Sequence, residues 1–226
     1  MTFSLLGRCP RTGQLGAIVT TSAIGVGARC QFARAGIGAV LTQHRTDPRL
    51  GPMMLDMMQA GLSATDAVKG AAIGTPHAHW RQLAAIDAAG RTAAFTGTSV
   101  RPAHGEAHGT DCVAIGNIIR DPAMPAAMVQ AFEADPILPL ADRLVAAIQA
   151  GERAGGETAA IASAALLVVD TERFPLVDLR VDAHDHPLDE LERIWRLYAP
   201  TAADYVRRAV NPDNAETYVA PPPKTG

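Results

Sequence analysis

Residues 1–22 read MTFSLLGRCPRTGQLGAIVTTS. Two apolar runs, over 2–7 and 14–20, flank a polar segment in which Pro10 and Gly13 supply turn-forming residues. Short apolar runs separated by such a segment are typical of a β-hairpin. We therefore predict that these residues form two antiparallel strands, with Thr2 at the outer end of the first strand.

Thr2 could have a chemical role that a threonine inside a chain cannot have. Removal of Met1 would leave one residue with both a hydroxyl and a free α-amine. An α-amine has an ordinary pKa of about 8, so it can act as the general base for its own hydroxyl near neutral pH. The alternative is that Thr2 is only a β-branched strand residue, and the Met-Thr dipeptide alone favours that alternative.

Composition indicates an ordinary globular chain. The 226 residues are 48% hydrophobic and 19% charged, which excludes disorder for most of the sequence and suits one sizeable domain. The net charge of −3 and the isoelectric point of about 6.1 give no electrostatic footprint for nucleic acid or an anionic membrane. We expect neither as a partner.

Targeting and redox signals favour a cytoplasmic location. No apolar run approaches the roughly 18 residues of a membrane span, and the first residues are too polar for a signal peptide. Cys9, Cys30 and Cys112 are widely spaced and contain no CxxC pair. We expect them to be reduced thiols rather than disulfides or zinc ligands.

Strands and helices both come in adjacent pairs along the rest of the chain. The patterns predict strands over 38–43, 82–87, 91–96, 112–117, 164–170 and 176–181, and helices over 52–61, 63–74, 122–134, 139–151, 188–198 and 201–210. Ser63 is placed as the N-cap of the second helix, and residues 22–35 are predicted to form a loop or a short helix. This order favours an α+β sandwich of antiparallel sheets covered by helices over a doubly wound parallel sheet. We assign residues 1–210 to a single domain and 211–226 to a Pro-rich tail.

Several sequence blocks together resemble one bacterial family. They are TFSL at 2–5, GIGAVLTQ at 36–43, TDPRLGP at 46–52, GN at 116–117, SAALLVV at 163–169 and VDLRVD at 177–182. In these blocks the chain resembles the domain of unknown function 1028, an uncharacterised family similar in fold to the N-terminal-nucleophile (Ntn) hydrolases. The resemblance extends from Thr2 to about Tyr198. It implies a four-layer αββα sandwich, an N-terminal threonine at the end of a central strand, and hydrolysis of an amide bond, but no particular substrate.

With that fold, individual residues can be given chemical roles. Thr2 would attack an amide carbonyl through its hydroxyl, and its α-amine would take up the proton and pass it to the leaving amine. The tetrahedral oxyanion needs hydrogen-bond donors, and Asn117, after Gly116 at the end of an apolar strand, is the best side-chain candidate. The alternative for Asn117 is a turn cap before Asp121 and Pro122.

Substrate-binding candidates lie where the early strands end. Many threonine-nucleophile hydrolases have a lysine near the nucleophile, but the two lysines here, Lys69 and Lys224, are on a surface-like helix and in the tail. A cation near Thr2 must then be an arginine. Arg29 is the nearest candidate in such a fold, and its guanidinium could hold a substrate carboxylate through two hydrogen bonds.

The remaining candidates are polar residues at strand ends. Thr21 and Ser22 could orient the amine of Thr2, although hydroxyls at a strand end are common in turns. Gln43 and Asp47, on either side of a strand exit, could line the mouth of the same pocket. For Asp47, which precedes Pro48, an ordinary turn is the favoured interpretation.

The histidines do not point to a metal. His184-Asp185-His186 has ligand-type side chains, but it precedes a helix that Asp185 can cap. His77, His79, His104 and His108 lie in connections that contain glycine and proline, where the sequence does not separate pocket residues from solvated ones. We predict no metal and no cofactor.

The sequence thus predicts an Ntn-type hydrolase that cleaves an amide (C–N) bond of a small metabolite for which a carboxylate is a favoured feature. The alternative is a non-catalytic small-molecule-binding protein with the same fold. The expected partners are a small-molecule substrate and further copies of the chain in a homo-oligomer.

Overall fold

The computed structural model describes residues 1–215, which form ten strands and six α-helices. The strands are β1 Thr2–Arg8, β2 Leu15–Thr21, β3 Gln31–Arg34, β4 Gly38–Gln43, β5 Gln82–Asp87, β6 Thr92–Thr96, β7 His104–Gly109, β8 Cys112–Asn117, β9 Ser163–Val169 and β10 Val177–Val181. The helices are α1 Leu50–Gln59, α2 Ala64–Gly74, α3 Met124–Glu133, α4 Leu140–Arg153, α5 Pro187–Tyr198 and α6 Ala202–Val210. Most of the predicted Pro-rich tail, residues 216–226, lies outside the described residues.

The strands form two antiparallel sheets. The first has six strands in the order β10-β9-β2-β1-β8-β7, and the second has four in the order β3-β4-β5-β6. The fold is therefore mixed α+β with antiparallel sheets, as the paired order of elements predicted. Strand β1 lies inside the larger sheet, paired along its length with β2 and with β8.

The alternation of side chains along β1 explains how it is packed. Phe3 and Leu5 belong to a core that includes residues of α3 and α4, whereas Leu6 belongs to a core shared with residues of β4 and β5. Helices α3 and α4 both pack closely on β1, since a Cβ atom on Gly7 would lie 2.5 Å from the Phe132 ring of α3 and 3.3 Å from Leu144 of α4. Glycine is required there because any side chain would displace that aromatic ring.

Helices cover the outer face of each sheet. Helices α3 and α4 contact β8, β7, β1 and β2, and α5 contacts β9 and β10 of the same sheet. Helices α1 and α2 contact the four-stranded sheet, with Met54, Met58 and Val68 in a core with Val40 and Leu83. None of the helices in the described part of the chain is both long enough and apolar enough to cross a bilayer.

The local predictions hold where the sequence pattern is strong. The first hairpin is confirmed, and Ser63 is the N-cap of α2, since its Oγ accepts a hydrogen bond from the backbone N–H of Asp66 at 3.2 Å. Two strands were missed. Strand β3 occupies part of the segment 22–35 that was predicted as a loop or short helix, and β7 contains His104 and His108, which were predicted to lie in a connection. Strand β7 was missed because its sequence, HGEAHG, has two glycines and no apolar alternation.

A buried set of amide side chains joins the two sheets below Thr2. Gln82 of β5 accepts hydrogen bonds through Oε1 from Nε2 of Gln43 (2.7 Å) and Nδ2 of Asn117 (3.0 Å). Its own Nε2 donates to the carbonyl of Gly116 at 3.1 Å and to Oγ1 of Thr96 at 3.2 Å. Gln82 is fully buried, so these bonds are made in place of bonds to water.

Replacing Gln82 by leucine should destabilise the protein more than a surface change of the same type. Gln82→Leu leaves buried amide donors on Gln43 and Asn117 without acceptors, and each stranded group should cost about 1–3 kcal/mol of the free energy of unfolding. Urea unfolding monitored by circular dichroism measures that loss. Gln130→Leu on the exposed side of α3 is the matched control and should change stability by no more than about 0.5 kcal/mol. Equal stability of the two variants would contradict the role given to Gln82.

Candidate functional site

One end of the six-stranded sheet carries a row of polar side chains. Thr2 of β1 pairs in register with Thr21 of β2 on one side and with Asn117 of β8 on the other. The row continues to Ser163 of β9, opposite Thr21, and to His104 of β7, opposite Asn117. Residues directly opposed in antiparallel strands share a face, with Cβ atoms about 4.5–5.5 Å apart. The register therefore places the side chains of Thr21 and Asn117 on either side of that of Thr2.

The hydroxyl of Thr2 is buried and engaged with its neighbours. Thr2 is 6% exposed and Thr21 is 4% exposed, and their Oγ1 atoms are 3.2 Å apart. Both hydroxyls donate to the carbonyl oxygen of Met1. Two donors thus converge on one amide carbonyl at the end of β1.

An open cavity of about 630 Å³ lies beside Thr2. Met1, Thr2 and Thr21 line it from the first sheet, and Arg29 and Cys30 line it from the segment that follows β2. The rest of the lining comes from the loop after β4 and from the segments around β5 to β8, through His44, Arg45, Thr46, Arg81, Arg101 and Ile118. The cavity is therefore built where the ends of both sheets meet.

Backbone strain is concentrated around this cavity. Four residues other than glycine in the described chain have positive φ, and three of them line the cavity: His44 (51°), Arg45 (40°) and Ile118 (54°). A positive φ is rare for residues with a Cβ atom and is a genuine outlier for a β-branched residue such as Ile118. Strained positions of this kind cluster at functional sites, because surrounding contacts hold them there. The strain marks the cavity as a candidate functional site independently of Thr2.

His44 ties three of the lining segments together. Its Nδ1 is 2.8 Å from the carbonyl oxygen of Trp80, which can only accept, so Nδ1 carries the proton. Nε2 is then free to accept from the backbone N–H of Arg101 at 3.4 Å. Burial lowers the pKa of His44, which keeps the ring neutral at pH 7. The neutral imidazole therefore joins these segments through hydrogen bonds and adds no positive charge to the cavity.

Cys30 does not offer an alternative nucleophile. Its sulfur is 3.6 Å from Oγ1 of Thr46, and burial raises the pKa of the thiol. A thiol nucleophile needs a lowered pKa to supply thiolate at neutral pH. The thiol of Cys30 is therefore a poor nucleophile in this structure.

The structure brings three of the predicted site residues to the cavity. Thr2, Thr21 and Arg29 line it, and Nη1 of Arg29 donates to the carbonyl of Gly25 at 2.7 Å. Asn117 is fully buried next to Thr2; its Nδ2 donates to Gln82, and its Oδ1 has no hydrogen-bond partner. One N–H of that amide group is not used in the bond to Gln82, but Asn117 is not among the residues that line the cavity.

Ser22, Gln43 and Asp47 are not among the lining residues. The backbone N–H of Ser22 donates to Glu157, and Gln43 accepts from the hydroxyl of Ser4 at 2.8 Å in the amide set under the site. Asp47 accepts from the backbone N–H of Arg49 and binds its guanidinium at 2.8 Å, which lowers the pKa of the carboxyl group. Through these bonds the three residues support the cavity without lining it. Asp47 also begins a turn, which is the role that the sequence favoured for it.

Sequence reasoning missed most of the lining outside the first sheet. The predicted residues Gln43 and Asp47 lie on either side of a loop that lines the cavity. The lining residues are those between them, His44 to Thr46. Arg81 and Arg101 are far from Thr2 in the sequence and reach the cavity through the tertiary fold. No local sequence motif marks either residue. A run of two charged or titratable residues directly after a buried strand, HR at 44–45, was the signal available.

Glu157 was also missed. It is 3% exposed, its Oε2 accepts from the backbone N–H of Ser22 at 3.0 Å, and its Oε1 is buried without a partner. Burial raises its pKa to about 7, opposed by the positive charge of the amino terminus and the bond from Ser22. A buried carboxyl group that titrates near neutral pH next to the end of β2 is a candidate proton acceptor, and its position follows only from the tertiary fold.

The histidines give no sign of a metal centre. No group of three or more His, Cys, Asp or Glu side chains in residues 1–215 is arranged to hold a metal ion. Nδ1 of His184 accepts from the backbone N–H of His186, and His108 and Thr92 share a hydrogen bond between edge strands of the two sheets, β7 and β6.

Comparison with known proteins identifies the family. The model of a family of unknown function, DUF1028, matches residues 2–191. The chain belongs to the DUF1028 family. Its match covers every element from β1 into α5, including all the residues that line the cavity except Met1. No curated protein matches the chain.

Two solved structures resemble this DUF1028 chain to different degrees. The crystal structure of protein SPO2555 from Silicibacter pomeroyi, which carries the DUF1028 family model, is 33% identical, covers 92% of this chain and 94% of its own, and has a TM-score of 0.83. Anbu (ancestral beta-subunit) from Yersinia bercovieri covers 96% of this chain and 100% of its own, but with 9% identity and a TM-score of 0.39. The first likeness supports the fold of this family, and the second is too weak to support an argument.

The raised pKa of Glu157 should make stability depend on pH. The folded chain holds a proton on this carboxyl group up to pH of about 7, whereas the unfolded chain releases it near pH 4.3. Because the folded state binds more protons between these values, the free energy of unfolding should fall as pH rises from about 4.5 to 7, by about 3 kcal/mol. Glu157→Gln should flatten that slope in urea unfolding at pH 5 and pH 8. Glu106→Gln, an exposed site on the edge strand β7, should keep the wild-type slope. Identical slopes in wild type and Glu157→Gln would contradict the prediction.

Proposed function

We propose that this DUF1028 protein is an Ntn-type hydrolase that cleaves an amide (C–N) bond of a small, carboxylate-bearing metabolite, with Thr2 as the nucleophile after removal of Met1. The observation that carries the proposal is the position of Thr2. Its hydroxyl lies at the end of a central strand, between Thr21 and Asn117, and opens on a strained cavity large enough for a small molecule. A four-layer αββα sandwich belongs to the same proposal, and helices packed on the outer faces of two facing sheets support it.

The chemistry follows from the two groups that Thr2 would carry. Oγ1 attacks the amide carbonyl while the α-amine accepts the hydroxyl proton, and the resulting tetrahedral intermediate collapses when the amine returns that proton to the leaving nitrogen. Water then hydrolyses the ester on Thr2 in the same way. Thr21, with its Oγ1 3.2 Å from that of Thr2, positions the nucleophile. The partly charged Glu157 beyond Ser22 stabilises the protonated amine.

Stabilisation of the oxyanion is assigned to Asn117. Its amide group is held by Gln82, which leaves one N–H of Nδ2 beside the Thr2 end of β1. A donor fixed before the reaction costs no reorganisation as the negative charge develops. The guanidinium of Arg29, on the same cavity, is assigned to the carboxylate of the substrate. No cofactor is required by this scheme.

A non-catalytic small-molecule-binding protein is the second candidate, and one observation favours it. In the chain that keeps Met1, the carbonyl of Met1 occupies the hydroxyls of Thr2 and Thr21, and Sδ of Met1 accepts from the hydroxyl of Thr158 at 3.1 Å. A protein that retained Met1 would have a cavity but no free amine. A homo-oligomer and a cytoplasmic location remain predictions from the sequence under either candidate.

Changes at Thr2 separate the two candidates. Intact-mass measurement of the untagged protein should show a chain without Met1. Thr2→Ala should abolish turnover of any amide that the wild type hydrolyses and leave the circular dichroism spectrum unchanged, because only the hydroxyl and one methyl group are lost. Thr2→Ser keeps a hydroxyl and an amine and should retain part of the activity. Thr92→Ala on strand β6, away from the cavity, is the control and should have wild-type activity. Wild-type turnover by Thr2→Ala, or a mass that includes Met1, would exclude this mechanism.

Removal of the amide of Asn117 should slow the chemical step. Loss of one oxyanion donor typically costs about 2.7–4 kcal/mol of transition-state stabilisation, so Asn117→Ala should lower kcat by about a hundred- to a thousandfold with little change in KM. Steady-state kinetics measures both. If KM rises while kcat is unchanged, Asn117 binds the substrate and the oxyanion donor lies elsewhere.

A further inference from the structure

The cavity beside Thr2 is strongly cationic in an acidic chain. Four guanidinium groups, those of Arg29, Arg45, Arg81 and Arg101, lie among its described lining residues, and no aspartate or glutamate does. The whole chain has a net charge of −3. A cleft with one sign of charge concentrates ligands of the opposite sign, so this cavity should attract anions although the protein as a whole does not.

Only one of the four arginines is compensated by a carboxylate. Nη2 of Arg81 is 3.7 Å from the carboxylate of Asp47, which Arg49 also binds. None of the ion pairs within residues 1–215 involves Arg29, Arg45 or Arg101. Three positive charges around the cavity are thus left without an acidic partner in the described chain.

Neutral contacts hold the side chains of Arg29 and Arg45 and the backbone of Arg101. Arg29 donates to the carbonyl of Gly25, and the guanidinium of Arg45 lies 3.9 Å from the centroid of the Trp80 ring. The backbone of Arg101 is bonded to His44, whose ring is bonded in turn to Trp80. A guanidinium held by a carbonyl or an aromatic ring keeps its charge and its remaining donors for a ligand.

The three arginines fall into two groups. Arg29 belongs to the segment between β2 and β3. Arg45 and Arg101 belong to the loops after β4 and before β7, and the hydrogen bond from the backbone N–H of Arg101 to Nε2 of His44 links those two loops. Arg45 also has a positive φ, so its backbone is held in a strained conformation at this edge of the cavity. The three guanidinium groups without an acidic partner in the described chain therefore come from two different parts of the cavity wall.

We propose that the substrate of this site carries two anionic groups, one bound by Arg29 and the other by Arg45 together with Arg101. The inference rests on the proposed amide hydrolysis at Thr2 and narrows its substrate class to small dianionic amides. A single carboxylate would neutralise Arg29 and leave two guanidinium groups uncompensated. A dianion supplies one anionic group for Arg29 and a second for Arg45 together with Arg101. Guanidinium binds carboxylate and phosphate alike through paired hydrogen bonds, so the second anionic group is defined by its charge and its oxygen donors.

Binding of matched ligand pairs tests the proposal without requiring turnover. Isothermal titration of the full-length Thr2→Ala protein would compare N-acetylglutamate with N-acetylglutamine, which differ by one carboxylate against one carboxamide. N-acetylaspartate with N-acetylasparagine, and N-acetyl-O-phosphoserine with N-acetylserine, complete the set. The dianionic member of at least one pair should bind about ten- to a hundredfold more tightly, the range for a charge-assisted bond. The phosphoserine pair distinguishes a phosphate from a second carboxylate.

Arginine variants assign the two groups. Arg45→Gln combined with Arg101→Gln should remove the preference for the dianion and leave binding of the monoanion within about threefold. Arg29→Gln should weaken both members of a pair by a similar factor, because both keep the α-carboxylate. Arg193→Gln on α5, an exposed arginine paired with Glu190, is the control and should change neither.

The proposal is overturned if no dianionic member binds, if the neutral-side-chain member of every pair binds equally well, or if the double variant keeps the preference. The failure of the hydrolase proposal is a separate result. A protein that retains Met1 or shows no turnover could still prefer dianions, whereas an active Thr2 enzyme with no such preference would refute only this inference.

Discussion

The hydrogen bonds of Gln82 across the gap between the two sheets are the constraint on which the candidate site depends. Gln82 lies on β5 of the smaller sheet, and through Asn117 and Gly116 it holds the end of β8 on the larger one. Strand β8 pairs with β1, so the same contacts fix the height of Thr2 relative to the loops that leave the smaller sheet. Buried amides that bond one another between the sheets favour a single arrangement of the sheets, because any slip would leave polar groups without partners away from water.

The parts of the structure that could be predicted from the sequence are those that depend on neighbours along the chain. The hairpin of β1 and β2 follows from two apolar runs around a turn, and the start of α2 follows from the spacing of Ser63 and Asp66. The pairing of Thr2 with Asn117 joins residues far apart in sequence, and only the family resemblance suggested it. Strand β7 could not be predicted from its own residues. Its glycine-containing sequence does not favour an extended conformation by itself, and pairing with β8 imposes that conformation.

Most of the cavity could not be predicted, for two physical reasons. Arg81 and Arg101 reach it through tertiary contacts, and an arginine in a sequence gives no sign of whether an acidic partner will be nearby. The pKa of Glu157 is set by burial, which depends on packing that a segment such as GGETAA at 155–160 does not encode locally. Arg29 lies in the segment between β2 and β3, so the strand that delivers Thr21 also leads to Arg29 at the cavity.

The strained backbone at Ile118 has a consequence for how this family can vary. Glycine would adopt a φ of 54° with less strain than the β-branched Ile118, because glycine has no Cβ atom to clash. Ile118 follows Asn117 and forms part of the apolar wall of the cavity, so a glycine there would relax the chain and widen the opening beside Thr2. Thermal stability and ligand fit are therefore in direct competition at this position on the rim of the cavity.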